Sequence, residues 1–316
     1  MRARLAVGAA LGALGAGALT ARAMAARIRR NPDPIPYDRL VREPEGEEVW
    51  VARPDGTRLR AVVAGEGPPV VLAHGYGVSL LEWNIVQPAL VEAGHRVIVF
   101  DQRGHGRSTL GSDGAGPGPM AADLPAVLEH FDVRDGVLVG HSMGGFLAIR
   151  ALTGHPELAR RLRGLVLFAT FAGRINDGAP QNRLQIPLLE AGVLQRLARI
   201  PAVGVLFGAA QCGRRPSPAM ISVFLDAFLA QDHVPLLPVL RAFAHEDHYP
   251  ELPGITVPTV VMVGDADRTT PWRHSRMLAA GIPGARLVTV PDAGHVLNWE
   301  APEALVDAVR SLSAPG

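Results

Sequence analysis

A serine flanked by glycines, in Gly140-His141-Ser142-Met143-Gly144, is the residue in this chain best suited to covalent chemistry. The preceding Gly136-Val137-Leu138-Val139 reads as a short buried strand, and the stretch from Gly145 to Leu152 reads as the opening of a helix. A G-x-S-x-G pentapeptide at a strand-to-helix turn presents the hydroxyl on a sharp, strained bend, where it could attack an acyl carbonyl. Glycines two residues to either side remove Cβ atoms that would collide at such a bend.

A serine hydroxyl does not ionise near neutral pH. It needs a histidine to take its proton and an acid to orient that histidine. Val263-Gly264-Asp265-Ala266-Asp267 follows a run of buried-strand type, and Pro291-Asp292-Ala293-Gly294-His295 follows the last such run. Asp267 and His295 would leave the same sheet edge as Ser142, in the chain order Ser, Asp, His. Asp265 is the rival acid, with local turn bonding as its plainer role. Among eleven histidines, His74, His105 and His141 sit in tight glycine-containing turns suited to packing and to hydrogen bonds behind the site. His95, His130 and His155 fall at element ends, His233, His245 and His248 in a separate helical block, and His274 at a helix start. Only His295 follows the final strand.

These groups need a scaffold, and the apolar pattern supplies one. Glu48 to Ala52 and Leu59 to Val63 flank the turn signal Pro54-Asp55-Gly56 and read as a hairpin. Apolar runs follow at Val70 to Ala73, Arg96 to Phe100, Val137 to Val139 and Leu165 to Phe168, then at Val257 to Val263 and Arg286 to Val290. Segments of helical spacing lie between them, such as Leu80 to Glu92 and Met120 to Phe131, and a helix over Pro302 to Ser311 closes the chain. This alternation argues an α/β fold with a parallel sheet covered on both faces. The rhythm breaks near Phe171, where proline-separated helical segments rich in leucine and phenylalanine run to Tyr249. A helical block inserted there would cap the carboxyl ends of the strands, where open α/β sheets bind ligands. The expected organisation is a core over 48–172 and 253–316, a cap over 173–252, and a proline-rich linker over 31–47.

Composition narrows the function classes. Lys+Arg 31 against Asp+Glu 30 leaves no basic stripe for nucleic acid. The single cysteine, Cys212, excludes an internal disulfide and a cysteine-rich metal site, and its plainer role is a small buried hydrophobe. Gly104-His105-Gly106 lacks the full dinucleotide fingerprint, so Asp101 to Ser108 reads as a charged loop supporting the serine turn from a neighbouring strand. Residues 1–30 form a separate segment. Leu5 to Leu19 is uncharged and apolar, with Arg2 and Arg4 before it and Arg22, Arg27, Arg29 and Arg30 behind. An uncleaved membrane anchor, a cleaved signal and a surface-bound helix all fit this pattern, so association with a membrane through residues 5–21, or export, is expected.

Together these motifs resemble the α/β-hydrolase superfamily over residues 46 to 313. Gly140 to Gly145, Gly-His-Ser-Met-Gly-Gly, is similar to esterases and monoacylglycerol-lipase-like members, and Asp101 to Ser108 matches a pattern widespread in the superfamily. The resemblance implies a mostly parallel eight-stranded sheet, with Ser142 as nucleophile, Asp267 as orienting acid and His295 as general base. It also implies an oxyanion hole from the backbone amides of Tyr76, in His74-Gly75-Tyr76-Gly77, and of Met143. No metal or organic cofactor is implied. Ser142 sets the chain apart from epoxide hydrolases and haloalkane dehalogenases, which place aspartate there, and Met143 from proline iminopeptidases, which usually have tryptophan. The expected substrate is a small lipophilic ester. Thioesterase, lactonase, acyltransferase, carbon–carbon hydrolase and perhydrolase activities stay open with the same three residues, as does a silent binding protein on this scaffold.

Overall fold

The computed structural model describes residues 17–179 and 182–313. Eight strands form one sheet: β1 (Glu47–Ala52), β2 (Arg58–Ala64), β3 (Pro69–Ala73), β4 (Arg96–Phe100), β5 (Gly136–His141), β6 (Leu162–Phe168), β7 (Thr259–Gly264) and β8 (Arg286–Val290). Their spatial order is β1-β2-β4-β3-β5-β6-β7-β8. β1 pairs antiparallel with β2, and β2 with β4; every later pair is parallel. The hairpin closes at the expected turn, where Arg53 N–H donates to Thr57 O at 2.8 Å. β5 and β7 are buried at every residue, as continuous Val and Leu runs require of strands covered on both faces. Two large apolar clusters fill the layers on either side.

The order reverses at β3, whose neighbours are β4 and β5. Open sheets of this kind leave a crevice beside such a reversal, at the carboxyl ends of the strands. The loops after β3, β5, β7 and β8 carry Gly75, Ser142, Asp267 and His295 to that edge.

Leu80 to Glu92 is not one helix. A 3₁₀ turn over Leu80–Trp83 precedes a separate helix over Val86–Glu92. The break buries Trp83 completely and holds Asn84 against the Arg39 and Leu40 carbonyls, at 3.0 and 2.5 Å. The loop over 101–108 also differs from expectation. Because β4 adjoins β3 rather than β5, this loop grips the turn after β3: Gln102 N–H donates to His74 Nε2 at 2.9 Å, and Gln102 Nε2 donates to His74 O at 2.5 Å.

Between β6 and β7 lie helices Asn182–Glu190, Val193–Ala198, Pro201–Ala209, Pro218–Ala230 and Leu237–His245. An antiparallel bridge between Gly173 and Asp247 closes the neck of this insertion. Gly173 has φ +110°, and a Cβ there would lie 2.1 Å from Glu246 O.

The stretch over 31–47 is fastened to the insertion rather than left as a free linker. Asp33 Oδ1 accepts from the Ser217 hydroxyl at 2.5 Å and from Ala219 N–H at 2.8 Å, capping helix Pro218–Ala230. Leu40, in the short helix Tyr37–Leu40, is fully buried in a cluster with Ile85, Met220, Val223 and Trp299. Residues 5–16 of the apolar run expected at the membrane lie outside the described residues. Among the described residues no single helix is long and apolar enough to cross a membrane.

Candidate active site

Ser142 stands between β5 and helix Met143–Gly154 with φ 49° and ψ −113°, the strained turn its flanking glycines predict. A Cβ on Gly144 would lie 2.2 Å from Ala73 O, and one on Gly140 2.6 Å from Gly145 Cα, so both glycines are demanded by close approach. The turn is braced from β6: Ser142 N–H donates to Phe168 O at 3.2 Å, and the Thr170 hydroxyl donates to Ser142 O at 2.6 Å.

His295 and Asp267 meet from separate loops. His295 Nδ1 lies 3.0 Å from Asp267 Oδ2, and the carboxylate side chain is completely buried. The other oxygen accepts Thr269 and Thr270 N–H at 2.8 and 2.9 Å, and the Thr270 hydroxyl donates to Oδ2 at 2.8 Å. Burial alone would raise the Asp267 pKa. His295 and the Thr270 amide and hydroxyl outweigh it, so the group sits below the ordinary carboxylate range. Asp265, the rival acid, points elsewhere. Its Oδ1 accepts Asp292 N–H at 2.9 Å, and its Oδ2 faces Arg214 at 3.4 Å near the surface.

The loop carrying His295 is clamped on two sides. His295 N–H donates to Gln211 O of the insertion at 2.8 Å, and His295 O accepts from His141 Nε2 at 3.1 Å. Ser142 and His295 both line one cavity of about 530 Å³, without a hydrogen bond between them. Gly75 and Tyr76 line the same cavity. Met143 begins the helix beside Ser142, where the first amides have no intrahelical acceptor and the helix dipole favours an anion. The Tyr76 hydroxyl lies 2.8 Å from His233 Nδ1, and His233 Nε2 donates to Phe228 O at 2.9 Å, tying this loop to the insertion.

The insertion supplies the far wall through Ile175, Leu188, Leu194, Phe207, Phe224 and Phe228. Polar residues line the cavity too: Glu82 meets His141, the neighbour of Ser142, Asn298 donates to the Glu82 carbonyl, and the Gln211 carbonyl holds the His295 amide. The cavity is thus an apolar chamber with a polar end, suited to an acyl chain attached to a reactive carbonyl. Glu82 and Thr270 carried no signal that set them apart in the sequence. Glu82 lies in an apolar segment of apparent helical spacing, and Thr270 in a turn. Among the described residues no group of His, Cys, Asp and Glu could hold a metal ion. Cys212 is buried in the insertion, and burial pushes its thiol up to about 12.

Residues 70–308 match the model of the alpha/beta hydrolase family. The chain is 30% identical over 253 residues to a non-heme haloperoxidase of Rhodococcus erythropolis, covering 78% of this chain and 92% of that one. Its fold is similar to that of an esterase from Exiguobacterium antarcticum, with a TM-score of 0.74 at 24% identity, over 84% of this chain and 99% of that one. It is also similar to an enol-lactonase from Burkholderia xenovorans, with a TM-score of 0.69 at 25% identity, over 82% and 97%.

Proposed function

The chain belongs to the alpha/beta hydrolase family, and on that footing we propose that it cleaves a carboxylic ester of a lipophilic substrate through Ser142, His295 and Asp267. The observation carrying this reading is the buried His295–Asp267 pair, at 3.0 Å, opening with Ser142 onto an apolar chamber of about 530 Å³. In this reading Asp267 holds the ring proton on Nδ1, leaving Nε2 free as the base. Nε2 takes the Ser142 proton as Oγ bonds to the ester carbonyl carbon. The resulting oxyanion is held by the amides of Tyr76 and Met143. The carbon–oxygen bond to the alcohol breaks, and the departing alkoxide takes the proton from His295. Water, deprotonated by His295, then releases the acid from the acyl-enzyme and restores Ser142.

The test is hydrolysis of p-nitrophenyl esters of increasing acyl length by the full chain, beside Ser142→Ala. Wild type is expected to turn over medium chains best and to be labelled by a fluorophosphonate at Ser142. Equal turnover by Ser142→Ala would end the assignment. A second reading, transfer of the acyl group to peroxide instead of water, is favoured by the similarity to a non-heme haloperoxidase. Peroxide competing with water for the acyl group, read as peracid against acid, separates the two. Location at a membrane belongs to the same proposal, resting on the apolar run Leu5 to Leu19 and the arginines after it. Fractionation of cells expressing the full chain tests it, and recovery wholly free of membranes would overturn it.

A further inference from the structure

Among the described residues lining the cavity, Glu82 is the only carboxyl, and the chemistry proposed above does not use it. It sits in the 3₁₀ turn Leu80–Trp83 with its side chain 4% exposed. Its Oε1 accepts Gly75 N–H at 3.2 Å, one residue before Tyr76. Both carboxyl oxygens lie close to His141 Nδ1, at 3.1 and 3.0 Å. Across the same ring, His141 Nε2 faces His295 O at 3.1 Å, and Phe168 stacks flat on the ring at 4.5 Å. A single chain of contacts thus runs from the loop after β3, through the residue preceding Ser142, to the loop carrying His295.

We propose that Glu82 is a positioning residue that ties the Gly75 loop to the His295 loop through the His141 ring. The proton count supports this. A carbonyl oxygen only accepts, so His141 must carry a proton on Nε2. The contact between Nδ1 and the carboxyl then needs one further proton, on Glu82 or on His141. Burial, partly opposed by His74, the Gly75 amide and His295, still pushes Glu82 up to about 8. Burial and neighbouring His295 hold His141 well below its ordinary value. The proton therefore stays on the carboxyl, which donates to Nδ1. The groups facing Glu82 are His141 at the end of β5, His74 after β3 and His295 after β8. Asn298 donates to its backbone carbonyl at 2.7 Å.

Above pH about 8 the Glu82 proton leaves. A carboxylate then confronts the Nδ1 lone pair, the link to the His295 loop weakens, and negative charge appears beside the wall where the oxyanion forms. Turnover should fall through that range.

The inference rests on the serine hydrolase reading, so the experiment includes a readout independent of turnover. Wild type, Glu82→Gln and Glu82→Leu, all as the full chain, are assayed on one p-nitrophenyl ester from pH 6 to 10. Histidine ¹⁵N shifts report the His141 tautomer. A Gln amide donates to Nδ1 and accepts from Gly75 as the acid does. Glu82→Gln should therefore keep kcat within about threefold and lose the alkaline decline, whereas Glu82→Leu should lower kcat at least about tenfold with little change in KM. His141 should read as the neutral Nε2–H form at pH 7 in wild type and Glu82→Gln. A His141 imidazolium at pH 7, a Glu82→Gln enzyme as impaired as Glu82→Leu, or an alkaline decline that persists in Glu82→Gln would each overturn the proposal. Should Glu82→Leu fail to fold, the Glu82→Gln profile and the tautomer decide alone. Should no ester be turned over, the tautomer still tests the bridge, while Ser142→Ala and labelling test the hydrolase reading.

Discussion

Replacing Asp267 by asparagine tests the proposed acid and separates it from Asp265. Asp267 Oδ1 accepts two backbone amides, from Thr269 at 2.8 Å and Thr270 at 2.9 Å. Those amides need an acceptor, so in Asp267→Asn the amide oxygen takes the Oδ1 position and the NH₂ group takes that of Oδ2. An NH₂ group only donates. It meets His295 Nδ1 as a lone pair and drives the ring proton to Nε2, where the base must be free. The Thr270 hydroxyl loses its acceptor at 2.8 Å as well. Where a triad acid is replaced this way with geometry intact, turnover falls about 10⁴-fold. That corresponds to about 5.4 kcal/mol of barrier, at ~1.36 kcal/mol per factor of ten. The expected result is a kcat about 10⁴ lower with KM changed only a few-fold, measured on p-nitrophenyl butyrate with active-site titration. Asp265→Asn disturbs an ion pair with Arg214 at 3.4 Å, in which the aspartate side chain is 36% exposed. Such a pair is worth ~0–1 kcal/mol of stability, and turnover should stay within about threefold. An Asp267→Asn enzyme within tenfold of wild type, or Asp265→Asn the more damaging of the two, would refute the reasoning.

Three further outcomes are expected. Burial raises the Glu82 pKa from 4.5 to about 8, so its contribution to stability is complete below about 4.5 and lost as pH rises through about 8. The melting temperature of wild type should therefore fall across that window more steeply than that of Glu82→Gln, and parallel curves by calorimetry would contradict this. Gly144→Ala places a Cβ 2.2 Å from Ala73 O; overpacking of that kind costs about 1–3 kcal/mol, lowering the melting temperature by roughly 1.5–5 °C at this chain length. An unchanged melting curve would show that the serine turn has slack. Leu194→Phe fills part of the chamber's far wall, so the preferred acyl chain should shorten in the p-nitrophenyl ester series. An unshifted preference would place the acyl chain elsewhere.

How far the sequence could be read depended on the range of the signal. The strands were legible because Val, Ile and Leu runs record burial on both faces, a local property. Ser142 was legible because glycines at fixed offsets record a turn that tolerates no Cβ. Asp267 and His295 could be named because chain order and strand ends place them at one edge, yet sequence left Asp265 open. Only the fold shows that Asp265 turns toward Arg214 while Asp267 faces His295.

What sequence by itself determined is the alternation of elements and the short list of candidate side chains, since both are written in patterns a few residues long. Tertiary structure alone decided which loop Gln102 grips, because that depends on β4 lying beside β3. It alone fastened Asp33 to helix Pro218–Ala230, across more than 180 residues of chain. It alone joined Glu82 to His141 and His141 to His295, since a buried proton is shared according to which groups meet in space.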